Sequence, residues 1–105
     1  MQQTTIIEAK SIIGVKREVT FPNVPMERAI HQLEKLGELL NKGYRVQYYF
    51  VSLSPIVRKV IIDDYYKEYK ELLRTCVEEG LSIKGITLQY NGSEIIAREG
   101  LKIEF

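Results

Sequence analysis

The sequence predicts a single α+β domain over residues 1–105, a two-layer sandwich in which a mixed sheet carries two helices on one face, in the order β-α-β-α-β-β. Two observations carry the prediction. Apolar residues recur at three- and four-residue spacing in two stretches and alternate with polar residues between them, the signatures of amphipathic helices and half-buried strands. Proline, glycine and Asn-Gly punctuate those stretches at turn positions. A chain of 105 residues with 45% hydrophobic and 28% charged side chains has the balance of one globular core, with residues 1–4 expected to be flexible.

From Thr4 to Phe21 the chain is β-branched and apolar, with Ile13, Val15, Val19 and Phe21 on one parity and Lys16, Glu18 and Thr20 on the other. A single strand of that length would run about 50 Å, whereas a helix of about 18 residues covers only about 27 Å. The segment must therefore break or overhang. Gly14 is a natural bulge, and Ala9-Lys10-Ser11 is an alternative hairpin turn. Arg17 falls on the apolar parity, so it is either turned outward by the bulge or buried and paired.

Pro22-Asn23-Val24-Pro25 ends the strand, and Pro25 suits a first helical position because its missing amide proton would have no partner there. Met26, Ala29, Ile30, Leu33, Leu36, Gly37 and Leu40 then trace one helix face up to Asn41-Lys42-Gly43. Tyr44 to Val51 alternates as a strand, with Arg45, Gln47 and Tyr49 opposite the apolar residues. Ser54-Pro55 opens a predicted second helix carrying Val57, Ile61, Tyr65, Tyr69, Leu72, Cys76 and Val77 towards Gly80. Asn91-Gly92 predicts a hairpin between Ile83–Tyr90 and Glu94–Phe105, with bulges expected at Gly85 and Gly100. Strand parity leaves a polar face of Lys16, Glu18, Arg45, Gln47, Tyr49, Thr87, Gln89, Arg98 and Lys102 opposite the helices.

No constellation of catalytic residues is visible. His31 with Glu27, Glu34 and Glu38 forms one helical stripe, which lacks ligands from a second element and reads as solvated charge. Cys76 lies on the apolar helix face, where a thiol packs as a small hydrophobe. Ile6-Ile7-Glu8-Ala9-Lys10 matches the strand and Glu-x-Lys half of a metal-dependent nuclease site, but the acidic residue expected on a preceding strand is not among Met1 to Thr5, so a solvated strand edge is the expectation. Asp63 and Asp64 read as mid-helix surface charges, Asp63 pairing with Lys67. Asn91-Gly92-Ser93 reads as the hairpin turn rather than a glycosylation site, and no nucleotide-binding, zinc or hydrolase signature occurs. No cofactor or metal is expected.

Fifteen Lys plus Arg against fourteen Asp plus Glu give a net charge of +1, so any basic surface must be local. Arg58 and Lys59 join Lys67, Lys70 and Arg74 in a predicted helical cluster diluted by glutamates. The lone cysteine suits a reducing compartment, and with no leader or apolar span visible the expected place is the cytoplasm, away from membranes. Thirteen isoleucines and abundant Lys and Glu lean towards a thermophile. The element order resembles that of the Alba chromatin proteins and of the C-terminal domain of bacterial translation initiation factor three, which implies DNA or RNA binding. The expectation is therefore a non-enzymatic binding module, associated with nucleic acid through the open sheet face. Its candidate contacts are Lys10, Lys16, Arg17, Arg45, Tyr49, Arg98 and Lys102. The alternative is a protein-interaction domain, an inhibitor, adaptor or complex subunit, using its long N-terminal strand, with homodimerisation through that edge.

Overall fold

The computed structural model describes residues 4–22 and 27–105; the expected flexible start at residues 1–3 and Pro25 as a helix opener lie outside those residues. The main sheet has four strands in the order β1-β3-β5-β6: β1 (Thr5–Ile12), β3 (Arg45–Ser52) and β5 (Ser82–Tyr90) are parallel, and β6 (Ile95–Glu99) is antiparallel to β5. Helices α1 (Glu27–Asn41) and α2 (Lys67–Glu78) connect the parallel strands, so this sheet carries the expected β-α-β-α-β-β order and the α+β sandwich holds.

Three short strands were not expected as a layer of their own. β2 (Glu18–Phe21), β4 (Lys59–Ile62) and β7 (Lys102–Glu104) form a second sheet, all parallel, with β4 in the middle. The stretch from Thr4 to Phe21 is thus neither one strand nor a hairpin at Ala9-Lys10-Ser11. It breaks at Ile13–Arg17, and its two halves join different sheets. A side chain at Gly14 would run into Val19, which explains a glycine at the corner.

The second helix begins twelve residues later than its apolar spacing suggests, at Lys67 rather than Pro55. Val60 and Ile62 are buried from extended backbone, because the run Lys59-Val60-Ile61-Ile62 pairs with β2 on one side and β7 on the other, and Val57 is buried in the connection that leads into it. Asp63 is consequently not mid-helix: its carboxylate accepts the Tyr65 amide at 3.0 Å and caps a 3-10 turn, Asp64–Tyr66, that leads into α2. Asp64, not Asp63, makes the ion pair, with Lys70 at 2.5 Å, and that ammonium holds its carboxyl below the usual carboxylate range.

The hairpin forms at Asn91–Glu94, where Asn91 Oδ1 accepts the Ser93 and Glu94 amides and Gly92 has φ 99°. Its second arm does not run on to Phe105. The chain leaves the main sheet at Gly100–Leu101 and enters the second as β7. One core joins both sheets and both helices, with Leu33 and Leu36 of α1, Tyr69, Leu73 and Cys76 of α2, Val46, Tyr48 and Phe50 of β3, Val60 and Ile62 of β4, and Leu101 all buried. Within the described residues no helix is long and apolar enough to cross a membrane.

Candidate functional site

The candidate contacts divide among three places, and the register of the strands decides which residue goes where. In β3, Val46, Tyr48, Phe50 and Ser52 point into the core, so Arg45, Gln47 and Tyr49 take the opposite, open face. Arg45 and Tyr49 do share that face, but four residues apart they are separated by about 13 Å of strand. The Tyr49 hydroxyl donates to Gln47 Oε1 at 3.0 Å, and the residue in register with Tyr49 on β5 is Lys84.

Lys10 does not join them. Burial in β1 alternates so that Ile6, Glu8, Lys10 and Ile12 lie on the helix side of the sheet, where the Glu8 and Lys10 side chains are only 30% and 16% exposed. Lys10 Nζ lies 3.4 Å from the Glu8 carboxylate and donates to Gln32 Oε1 of α1. The Glu-x-Lys pair is therefore half-buried and tied to a helix, which corrects the expectation of a solvated strand edge. The cause is parity: an eight-residue parallel edge strand must turn one set of side chains towards α1, and Glu8 and Lys10 belong to the set that contains Ile6 and Ile12. Tyr48 is the register partner of Glu8. Its hydroxyl is pushed above the usual phenol range first by burial, then by the Tyr69 hydroxyl at 2.7 Å and by the Glu8 charge.

The third place gathers the largest group. Thr87 and Gln89 share their side of β5 with Gly85 and Ile83, which pair with Phe50 and Tyr48, and Arg98 is in register with Thr87. These three were expected on the open face; they turn instead towards the second sheet. The reason is that β5 enters with Ile83 opposite Tyr48, so its odd-numbered residues take the core side and Gly85 leaves room for the Leu101 carbonyl to cross it. Arg17, Arg58 and Lys102 stand at the N-terminal ends of β2, β4 and β7. The Arg17 carbonyl accepts the amides of Arg58 at 2.7 Å and Lys59 at 3.0 Å, and the Arg58 carbonyl accepts the Lys102 amide at 3.1 Å. Backbone hydrogen bonds thus set Arg17 level with Arg58 on neighbouring strands and Lys102 one position further on, in register with Lys59.

Arg17, Arg58, Lys59 and Lys102, with Glu18 among them, line a cleft of about 360 Å³, which meets a second cleft of about 260 Å³, lined by Thr87, Gln89, Arg98 and Glu99, at Arg58 and Gly100. Lys59 is compensated by Glu18 at 3.8 Å and Glu104 at 4.0 Å, but among the described residues Arg17, Arg58, Arg98 and Lys102 take part in no ion pair. Lys16 is exposed in the connection between β1 and β2.

Sequence reasoning placed Arg58 and Lys59 on the second helix with Lys67, Lys70 and Arg74. The available signal for separating them was the β-branched run that follows them. Gln32 had no sequence signal, since its role comes from a contact across 22 residues. Among the described residues no three His, Cys, Asp or Glu side chains come together as a metal site. His31 is exposed on α1, and Cys76 is buried, its Sγ 3.7 Å from the Leu33 carbonyl and its thiol pushed up by burial and then by Glu79.

No curated protein matches the chain in sequence. Among solved structures it is similar to SfsA of Pyrococcus furiosus, determined in complex with Ca²⁺, with a TM-score of 0.80 and 26% identity over 96% of this chain. The match spans 45% of that protein, so this chain corresponds to less than half of its relative's length. Residues 1–94 match the sugar fermentation stimulation protein RE domain, and the chain belongs to the SfsA family.

Proposed function

We propose that this domain associates with nucleic acid, and that the cations at the N-terminal ends of β2, β4 and β7 make the contact with phosphate. One observation carries the reading: a chain of net charge +1 holds Arg17, Arg58, Arg98 and Lys102 around two joined clefts in no ion pair among the described residues, with Glu18 and Glu99 the two carboxylates in the linings. Lys59 and Lys102 are in register on adjacent parallel strands about 4.8 Å apart, and of the two only Lys59 has carboxylates within ion-pair reach. A polyanion docked on the cations that make no ion pair gains affinity by releasing its own condensed counterions. Membership of the SfsA family fits this reading.

Binding of a short labelled DNA, followed by anisotropy, should weaken linearly in log salt, and Arg58→Ala and Lys102→Ala should each reduce the slope by about one. Arg45→Ala and Tyr49→Ala, on the opposite face, should leave it unchanged. The reverse pattern would move the interface to the open sheet face, and no binding at low salt would remove the reading.

A second reading has the domain contribute to metal-assisted phosphodiester chemistry. It is favoured by the half-buried Glu8, Lys10 and Gln32 cluster and by the Ca²⁺ complex of the Pyrococcus furiosus relative. The Glu8 carboxylate and the Gln32 amide oxygen are the hard donors that Ca²⁺ or Mg²⁺ prefers, but Ca²⁺ takes about six to eight oxygens. Here one carboxylate and one amide face each other across an ammonium. The described residues therefore do not fit the ion by themselves, and their share is at most a partial shell. Calorimetric titration with Ca²⁺ tests it: heat that disappears in Glu8→Gln supports a role for Glu8, and heat that survives the substitution removes it.

A further inference from the structure

The two clefts that meet at Arg58 and Gly100 differ in chemistry. The first is mainly cationic, lined by Arg17, Arg58, Lys59 and Lys102 against the single carboxylate of Glu18. The second is lined by apolar Pro55 and Val57, the latter 1% exposed, and by the polar side chains of Thr87, Gln89 and Arg98; Glu99, in register with Ile86, directs its side chain to the other face of β6. A Gln amide both donates and accepts, a hydroxyl does the same, and a guanidinium donates and stacks. That set matches the mixed donor and acceptor edge and the flat apolar face of a nucleobase. At about 260 Å³ the cleft is below the usual range of small-molecule sites, about 300–1,000 Å³, and a single base is the size of group it takes.

We infer that the joined clefts bind one nucleotide unit of a nucleic-acid strand. Its phosphate lies against Arg17, Arg58 and Lys102, and its unpaired base enters the cleft lined by Thr87, Gln89 and Arg98. This rests on the nucleic-acid reading and deepens it by naming the ligand class, because a base stacked and paired within a duplex cannot enter a concave site. The geometry that makes it is held by backbone. The amides of Arg58 and Lys102 are spent on the carbonyls of Arg17 and Arg58, so the cationic side chains start from fixed positions. Thr87 and Arg98 are register partners on β5 and β6, and Gln89 follows two residues on, along the same side of the sheet.

The experiment uses the whole chain and three labelled probes of equal length: a thymidine single strand, a strand of the same backbone abasic at every position, and the thymidine strand's duplex. The single strand should bind more tightly than the duplex or the abasic strand. Gln89→Ala combined with Arg98→Ala should weaken the single strand by about tenfold, within the range measured for one base contact, and bring it level with the abasic probe. Arg58→Ala should weaken all three probes together. Circular dichroism checks each fold, and Gln89→Met, close in volume and lacking the amide, serves if the double variant does not fold. Equal affinity for the three probes, or a double variant that leaves the single strand unaffected while Arg58→Ala still weakens it, overturns the base site and leaves the phosphate interface standing. Failure of the unmodified chain to bind any probe at low salt overturns both.

Discussion

Tyr48 and Tyr69 illustrate how a pair of hydroxyls can be neutral together and costly apart. Both side chains are fully buried, and their oxygens lie 2.7 Å from each other. Replacing Tyr69 by Phe leaves the Tyr48 hydroxyl without that partner, a loss of about 1–3 kcal/mol, whereas Tyr48→Phe with Tyr69→Phe removes both groups and should cost less than the single change. Urea unfolding of the three variants measures this directly. The pair also sets a pH dependence. Burial is the leading cause that raises both phenols above their usual value near 10, so the folded state holds these protons longer than the unfolded chain does. Their stabilisation is complete below pH 10 and is lost as the pH climbs from there towards the raised folded values, at up to about 1.4 kcal/mol per pH unit for each phenol. In the doubly substituted protein, alkaline unfolding followed by circular dichroism should begin at a higher pH.

At the scale of the element, what could be read from sequence was set by how local each signal is. The faces of α1 and β3 follow from spacing within fifteen and eight residues, and Leu33, Leu36, Val46, Tyr48 and Phe50 are buried as that spacing requires. β4 carries a conflicting pattern. Val57, Ile61, Tyr65 and Tyr69 recur every four residues like a helix face, but Lys59 to Ile62 pairs with strands about forty residues away on either side, and that pairing wins. The candidate site inherits the same limit. Arg17, Arg98 and Lys102 were recognisable as cations, whereas their meeting with Arg58 depends on parallel pairing that leaves no local trace. Gly85 was expected to be a bulge, yet it sits in an unbroken register between Lys84 and Ile86, opposite Phe50. Its lack of a side chain serves the crossing of the chain into β7: a Cβ there would collide with the carbonyl and side chain of Leu101. Gly85→Ala should therefore shift β7 and destabilise the domain by about 1–3 kcal/mol, as overpacking does, with a lower urea midpoint and an unchanged slope.

For the molecule as a whole, the decisive question is whether the second sheet is an appendage or part of the folding unit, because the proposed interface is built on it. Its strands are only three or four residues long, and a short sheet alone has too little apolar surface to be stable. Val60, Ile62 and Leu101 nevertheless belong to the same buried cluster as Leu33 of α1 and Leu73 of α2. Removing side-chain volume at the helix layer should therefore be felt at the cationic cleft. Leu33 is fully buried, and Leu33→Ala should cost about 2–5 kcal/mol, a large part of the about 5–15 kcal/mol available to a domain. If the two sheets unfold as one unit, amides of β4 and β7 will lose hydrogen-exchange protection in this variant by the same factor as those of β3 and β5. Unchanged protection in β4 and β7 would show a second sheet that holds without the helix layer. Equal loss ties the placement of Arg17, Arg58 and Lys102 to the helix core, so that substitutions far from the clefts weaken binding through stability alone.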